Sequence, residues 1–136
     1  MRPIVVDTNC LIQMIPKQSQ YRFIWDRFVG GEWNLCVSNE VLEEYFEILA
    51  HLANPIVAQG VINVIINSPY TIMVSPCYRF EIISKDRDDN KFVDLAISAN
   101  ADYIVSNDRH FNEVKDCDWP HVNVINLDEF AIEQRK

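Results

Sequence analysis

Short apolar runs alternate along this chain with segments of helical period, and acids recur where the runs end. Ile4-Val5-Val6 leads to Asp7, Leu35-Cys36-Val37 to Ser38, and Tyr103-Ile104-Val105 to Ser106-Asn107-Asp108. Runs of this length bounded by polar residues predict buried strands at 3–6, 34–37, 70–74, 103–106 and 122–125. Between them the period changes. Tyr21, Ile24, Trp25 and Phe28 fall at i, i+3, i+4 and i+7, which predicts a helix over 21–30 closed by Gly30-Gly31. Val41, Leu42, Tyr45, Phe46, Leu49 and Leu52 give a second helix a broad apolar face, with Ser38 or Asn39 as its cap. Asn54-Pro55 starts a third, running to about residue 67. Further helices are predicted over 8–15, ended by Pro16, over 89–100 with Phe92, Val93, Ala96 and Ile97 inward, and over 128–135. The pattern defines no element in the stretch 75–88.

Strands separated by helices predict βαβ units and an α/β fold around a mainly parallel sheet of four or five strands. Right-handed crossovers then place helices on both faces. In such sheets ligands bind beyond the carboxyl ends of the strands. Asp7, Ser38 and Asp108 all lie at such ends, which is the geometric reason to expect the acids together. The 136 residues, 49% of them hydrophobic, suit a single domain spanning 1–136 with a core that needs no covalent staple.

Composition narrows the classes. The net charge of −8 argues against broad nonspecific duplex binding, so any basic contact surface is expected to be local. It leaves a nuclease open, because divalent cations would neutralise part of an acidic site. Four scattered cysteines without a C-x-x-C pair suit small buried hydrophobes in a reducing cytoplasm better than a disulfide or zinc framework. No apolar run approaches the roughly 18 residues of a membrane helix, so no membrane association is expected. The chain opens directly on a strand pattern, so no secretory signal is expected either.

Each acid has an ordinary structural explanation. Asp7 and Asp108 suit helix N-caps. Asp88 and Asp89 meet the dipole of the helix they open, and Asp86 lies just before them. Glu40 with Glu44, and Glu43 with Glu47, are i,i+4 pairs of the kind solvated on most helices. Glu44 adjoins Tyr45 on the apolar edge and is the best placed of these to face the sheet. Asp94 is one turn beyond Asp89 and within reach of the same place. Together the acids suggest one pocket in which carboxylates repel one another unless a cation lies among them. Oxygen donors of this kind suit Mg²⁺ or Mn²⁺. No pair of histidines has zinc-ligand spacing; His51 and His121 look incidental, while His110 is close enough to Asp108 to touch substrate. Lys85, Arg87, Lys91 and Arg109 are either surface charge or contacts to substrate phosphates.

Four segments, in order, resemble the PIN domain, in particular the VapC-like ribonucleases that act as toxins of bacterial toxin–antitoxin pairs. They are Val5-Val6-Asp7-Thr8-Asn9, Ser38-Asn39-Glu40-Val41-Leu42-Glu43-Glu44-Tyr45, Asp88-Asp89-Asn90-Lys91-Phe92-Val93-Asp94-Leu95-Ala96, and Ala101-Asp102-Tyr103-Ile104-Val105-Ser106-Asn107-Asp108. Each is short and weak alone; the ordered set is specific. The resemblance implies an α/β/α sandwich and a Mg²⁺- or Mn²⁺-dependent endoribonuclease cutting single-stranded RNA. It assigns catalysis and metal binding to Asp7, Glu44, Asp89 and Asp108, with Asp94 as rival for the third acid, and gives Asn9 and Ser106 supporting or substrate-binding roles. Asn107 stands where the family often has Gly, a departure not expected to affect the chemistry. An antitoxin partner and a homodimer are implied as well. A phosphatase of the haloacid dehalogenase type also begins strand-Asp, but needs a second Asp where this chain has Asn9. A two-component receiver needs its acceptor Asp after a middle strand, a layout not seen here. A non-catalytic PIN-like interaction module remains the alternative of a different class.

Overall fold

The computed structural model describes residues 2–83 and 87–136, with Arg87 described by its backbone alone. Five strands form one parallel sheet: β1 (Pro3–Val6), β2 (Asn34–Val37), β3 (Thr71–Met73), β4 (Tyr103–Val105) and β5 (Val124–Ile125), in the order β3-β2-β1-β4-β5. Their central residues are almost wholly buried because both faces of the sheet are covered: Ile4, Val5, Val6, Leu35, Cys36, Val37, Ile104 and Val105 have no exposed surface. This is why the strands read as continuous apolar runs and not as alternating ones.

The helices are α1 (Thr8–Met14), α2 (Arg22–Val29), α3 (Asn39–Leu52), α4 (Pro55–Asn67), α5 (Asn90–Ala99), α6 (Asn112–Lys115) and α7 (Leu127–Arg135). α5 packs on β1, β2 and β4. An aromatic chain of Trp25, Phe28, Trp33, Phe130 and Tyr103 ties α2 and α7 to β4, with successive ring centroids 5.2–5.7 Å apart. The result is the expected α/β/α sandwich. Local signals explain the boundaries. Ser38 accepts a hydrogen bond from the Val41 amide and starts α3. Asn54 does the same for α4, with Pro55 at the first helical position. Asn100 ends α5 in the left-handed conformation at φ 51°, which asparagine tolerates.

The departures are local. The fifth strand is shorter than predicted, and residues 112–115 form a one-turn helix that no period announced. Residues 87–89 and 109–111 are 3₁₀ turns. Residues 74–83 run without regular structure between β3 and α5.

β1 pairs with β2 on one side and β4 on the other, and the chain reverses its direction of travel across the sheet between them. That switch point opens a crevice beyond the carboxyl ends of β1 and β4. Val6 stands opposite Val105, so the next residues, Asp7 and Ser106, emerge side by side.

Candidate active site

Asp7 lies at the cap position of α1, but apart from the adjacent Thr8 amide its side chain caps no amide of that helix. It turns toward β4, where Ser106 Oγ donates to Asp7 Oδ2 at 2.9 Å. Ser106 Oγ in turn accepts the Asp108 amide at 3.0 Å, so one hydroxyl fixes both corners. Only 5% of Asp7 is exposed. Burial pushes its carboxyl up to about 6. The negative charges of Asp89 and Glu44 add to the rise, while hydrogen bonds from Ser106 and the Thr8 amide oppose it. Asp7, Glu44 and Asp89 are therefore electrostatic neighbours although they come from the end of β1, α3 and the turn before α5.

Glu44 reaches the site from the inner edge of α3. Thr8 Oγ1 donates to its Oε2, and Lys91 Nζ lies 2.6 Å from its Oε1. The adjacent Tyr45 is fully buried and donates its hydroxyl to the Val6 carbonyl, which pins α3 to the end of β1. Glu40 faces away and pairs with Arg79 at 3.2 Å. Glu43 and Glu47 are exposed.

The third corner is the turn at 87–89. Asp89 Oδ2 lies 3.3 Å from His110 Nδ1, and Asp108 Oδ1 lies 3.3 Å from the same nitrogen. Asp108 also caps its own turn by accepting the His110 amide at 2.9 Å. Asp89, Asp108 and His110 each present a ligand atom within 4.8 Å of the others. With its proton on Nε2 the imidazole completes a three-donor set; with the proton on Nδ1 it donates to the acids. His110 had only its closeness to Asp108 to recommend it in the sequence, and the turn after β4 is what brings it to Asp89.

Asp94 goes elsewhere. It is 4% exposed and accepts the Phe80 amide at 3.0 Å, with Arg79, Glu40 and Glu81 as its charged neighbours. Burial raises its carboxyl above the ordinary range. It fastens the 74–83 segment to α5. Asp88 is exposed and lines a separate cleft with Arg79, Lys91 and Asp94.

Asn9 is exposed and, with Asp7, Ile12, Gln13, Leu52, Asn107 and Asp108, lines an open cleft of about 460 Å³ over the acids. Arg109 is exposed on the turn beside it. Asn107 accepts the Leu127 amide at 3.0 Å, so the residue that departs from the family's Gly helps to seat α7. Lys85 and Asp86 lie outside the described residues, as does the side chain of Arg87. All four cysteines are free.

The family model described as "PIN domain" matches residues 3–110. The chain belongs to the PIN domain family. Solved structures similar to this PIN domain include VapBC2 from Rickettsia felis bound to a promoter DNA fragment, at 18% identity and TM-score 0.64, covering 91% of this chain and 98% of that one. The Mycobacterium tuberculosis sarcin–ricin-loop-cleaving toxin VapC20 matches at 14% identity and TM-score 0.58, covering 80% and 92%. DNA-bound VapBC from Salmonella typhimurium matches at 15% identity and TM-score 0.59, covering 93% and 99%. At these identities the likeness is one of fold. No curated protein matches the sequence significantly. Among the described residues of this PIN domain, no helix is long and apolar enough to cross a membrane.

Proposed function

We propose that this PIN domain is a divalent-metal-dependent endoribonuclease that hydrolyses phosphodiester bonds of single-stranded RNA, and that it is the toxin of a toxin–antitoxin pair. The observation that carries the reading is the meeting of Asp7, Glu44, Asp89 and Asp108 at the switch point, with Asp7 buried and pushed up to about 6. Such an arrangement is costly without a counter-charge. Hard oxygen donors in this crevice fit Mg²⁺ or Mn²⁺, and the imidazole of His110 makes Mn²⁺ the better match.

Asp7, Glu44, Asp89 and Asp108 would hold the ion, with His110 offering a ring nitrogen beside Asp89 and Asp108. When bound, the ion supplies Lewis-acid polarisation of a phosphodiester oxygen and eases deprotonation of the attacking water. The protein's own groups supply order. Ser106 holds the Asp7 carboxylate and the Asp108 amide together, and Thr8 fixes one oxygen of Glu44. Asn9, which lines the cleft, and Arg109, exposed next to the lining residue Asp108, are the candidates to meet the sugar–phosphate backbone. The open cleft suits a single strand, whose phosphate must come close to the acids. The VapC toxin named for cleaving the sarcin–ricin loop supports an RNA substrate, and the VapBC complexes support an antitoxin partner; a segment of that partner lying over the pocket is part of this proposal. We assign the homodimer and the cytoplasmic setting on the same family grounds.

The test is cleavage of single-stranded RNA by the purified protein with Mn²⁺, with chelator, and with Asp7→Asn. Cleavage that needs the ion and is lost in the variant is the expected result. Equal cleavage by the variant sinks the assignment of Asp7.

A further inference from the structure

We propose that the outer edge of β5 is a docking surface for an extended, acidic segment of a partner protein, which adds a further strand to the sheet. β5 is an end strand. On its inner side the carbonyls of Asn123 and Ile125 accept the Ile104 and Ser106 amides at 2.8 and 2.9 Å. Alternation along the strand then turns the N–H and C=O of Val124 outward. Among the described residues neither group has a hydrogen-bond partner. Open main-chain groups on an end strand are what strand addition requires. The main chain supplies affinity and the flanking side chains supply selectivity.

The edge borders a groove of about 440 Å³ lined by Tyr103, Lys115, His121, Glu133 and residues 122–125. Two features of this groove point to its occupant. The first is Tyr103, which is 8% exposed and whose hydroxyl is buried without a hydrogen-bond partner. A buried phenol ordinarily finds one. Its ring stands edge-on to Phe130, and Arg2, Glu133 and Asp102 are its charged neighbours. A carbonyl or carboxylate oxygen of a bound segment is the acceptor that this hydroxyl lacks. The second feature is charge. Glu133 is already paired with Arg2 and Lys136. Lys115 is exposed and enters no ion pair among the described residues. His121 is a second exposed group able to carry positive charge. In a chain of net charge −8, the uncompensated charge at this groove is positive, and it selects an acidic side chain. Trp119, 82% exposed and two residues before His121, offers an aromatic face of the kind that interfaces bury. Tyr103 opens β4, whereas Asp108 follows its far end. The groove and the cleft over the acids share no lining residue, so this surface stands or falls apart from the nuclease reading.

The experiment titrates the full isotope-labelled chain with a blocked peptide of alternating valine and glutamate, and follows the backbone amides by NMR. In the free protein the Val124 amide is expected to exchange with deuterium as an unpaired amide does, and to be protected about tenfold or more when peptide is bound. A valine–lysine peptide is expected to bind about tenfold more weakly, and Lys115→Glu to reverse that preference. Tyr103→Phe loses no internal hydrogen bond, so it is expected to melt no lower than the native protein while binding the peptide several-fold more weakly. Val124→Pro removes the outward N–H and is expected to abolish binding, with circular dichroism melts checking that the variants fold. A Val124 amide already protected in the free chain overturns the proposal without any variant. Protection that grows with protein concentration assigns the edge to a second copy and overturns the partner. No binding at millimolar peptide, shifts that bypass residues 121–125, or equal affinity for the two peptides overturn it as well. A Tyr103→Phe protein that melts lower, or binds as the native does, overturns the hydroxyl as a contact.

Discussion

At the scale of single residues, Asp7 sets the behaviour of the site. Its carboxyl titrates near 6 in the folded protein against an ordinary value of 3.8. The folded state therefore holds the proton more tightly than the unfolded chain, and stability falls as pH rises between those values. A rise of this size corresponds to about 3 kcal/mol by linkage. Asp7→Asn removes the charge, and its side-chain oxygen still accepts from Ser106. The metal-free variant is expected to melt higher than the native protein at pH 7.5, with the difference shrinking toward pH 4, while RNA cleavage is lost. Calorimetry at the two pH values checks this; a variant less stable at both would show that the Asp7 charge is already well compensated. The same proton competes with the ion. Mn²⁺ affinity is expected to weaken several-fold between pH 7 and pH 5 and binding to release protons, which titration calorimetry in buffers of different ionisation enthalpy measures.

At the scale of elements, the site depends on how α3 is fastened to β1. Tyr45 and Glu44 are neighbours in sequence, and the buried Tyr45 hydroxyl on the Val6 carbonyl fixes the register that brings Glu44 beside Thr8. Tyr45→Phe leaves that carbonyl without its partner. The expected cost is roughly 1–3 kcal/mol of stability, together with weaker Mn²⁺ binding. An unchanged melting temperature would mean that the tie contributes little. The element patterns themselves were legible: caps at Ser38 and Asn54 and apolar periods in α2, α3 and α5 correspond to the helices found. The one-turn α6 was not, because four residues cannot display a period. The burial of Phe111 and Val114 is explained only by what they pack against.

For the whole molecule, the dominant fact is a charge of −8 with an acidic crevice at the switch point of the sheet. Long-range repulsion between such a chain and RNA is strong at low salt. RNA binding in chelator is therefore expected to be negligible and to appear with Mn²⁺, as followed by fluorescence anisotropy of a labelled, non-cleavable oligonucleotide. Arg109→Ala is expected to lower that affinity several-fold and to reduce the slope of log affinity against log salt by about one, the signature of a lost phosphate contact. A slope equal to that of the native protein would place Arg109 outside the substrate path.

The sequence by itself determined the strands, most of the helices, the parallel sheet and the acidic character of its carboxyl edge. Each of these follows from local period, capping and burial, which a chain carries in its own order. Only the tertiary structure decided which acids meet. Asp94 and Glu44 are both acids near the apolar edge of a helix, yet Asp94 turns to the Phe80 amide and Glu44 to Thr8 and Lys91. His110 and Asp89 are 21 residues apart in the chain, yet their side chains come within 3.3 Å. Such choices depend on strand register and on the packing of one element against another, and no spacing along the chain encodes them.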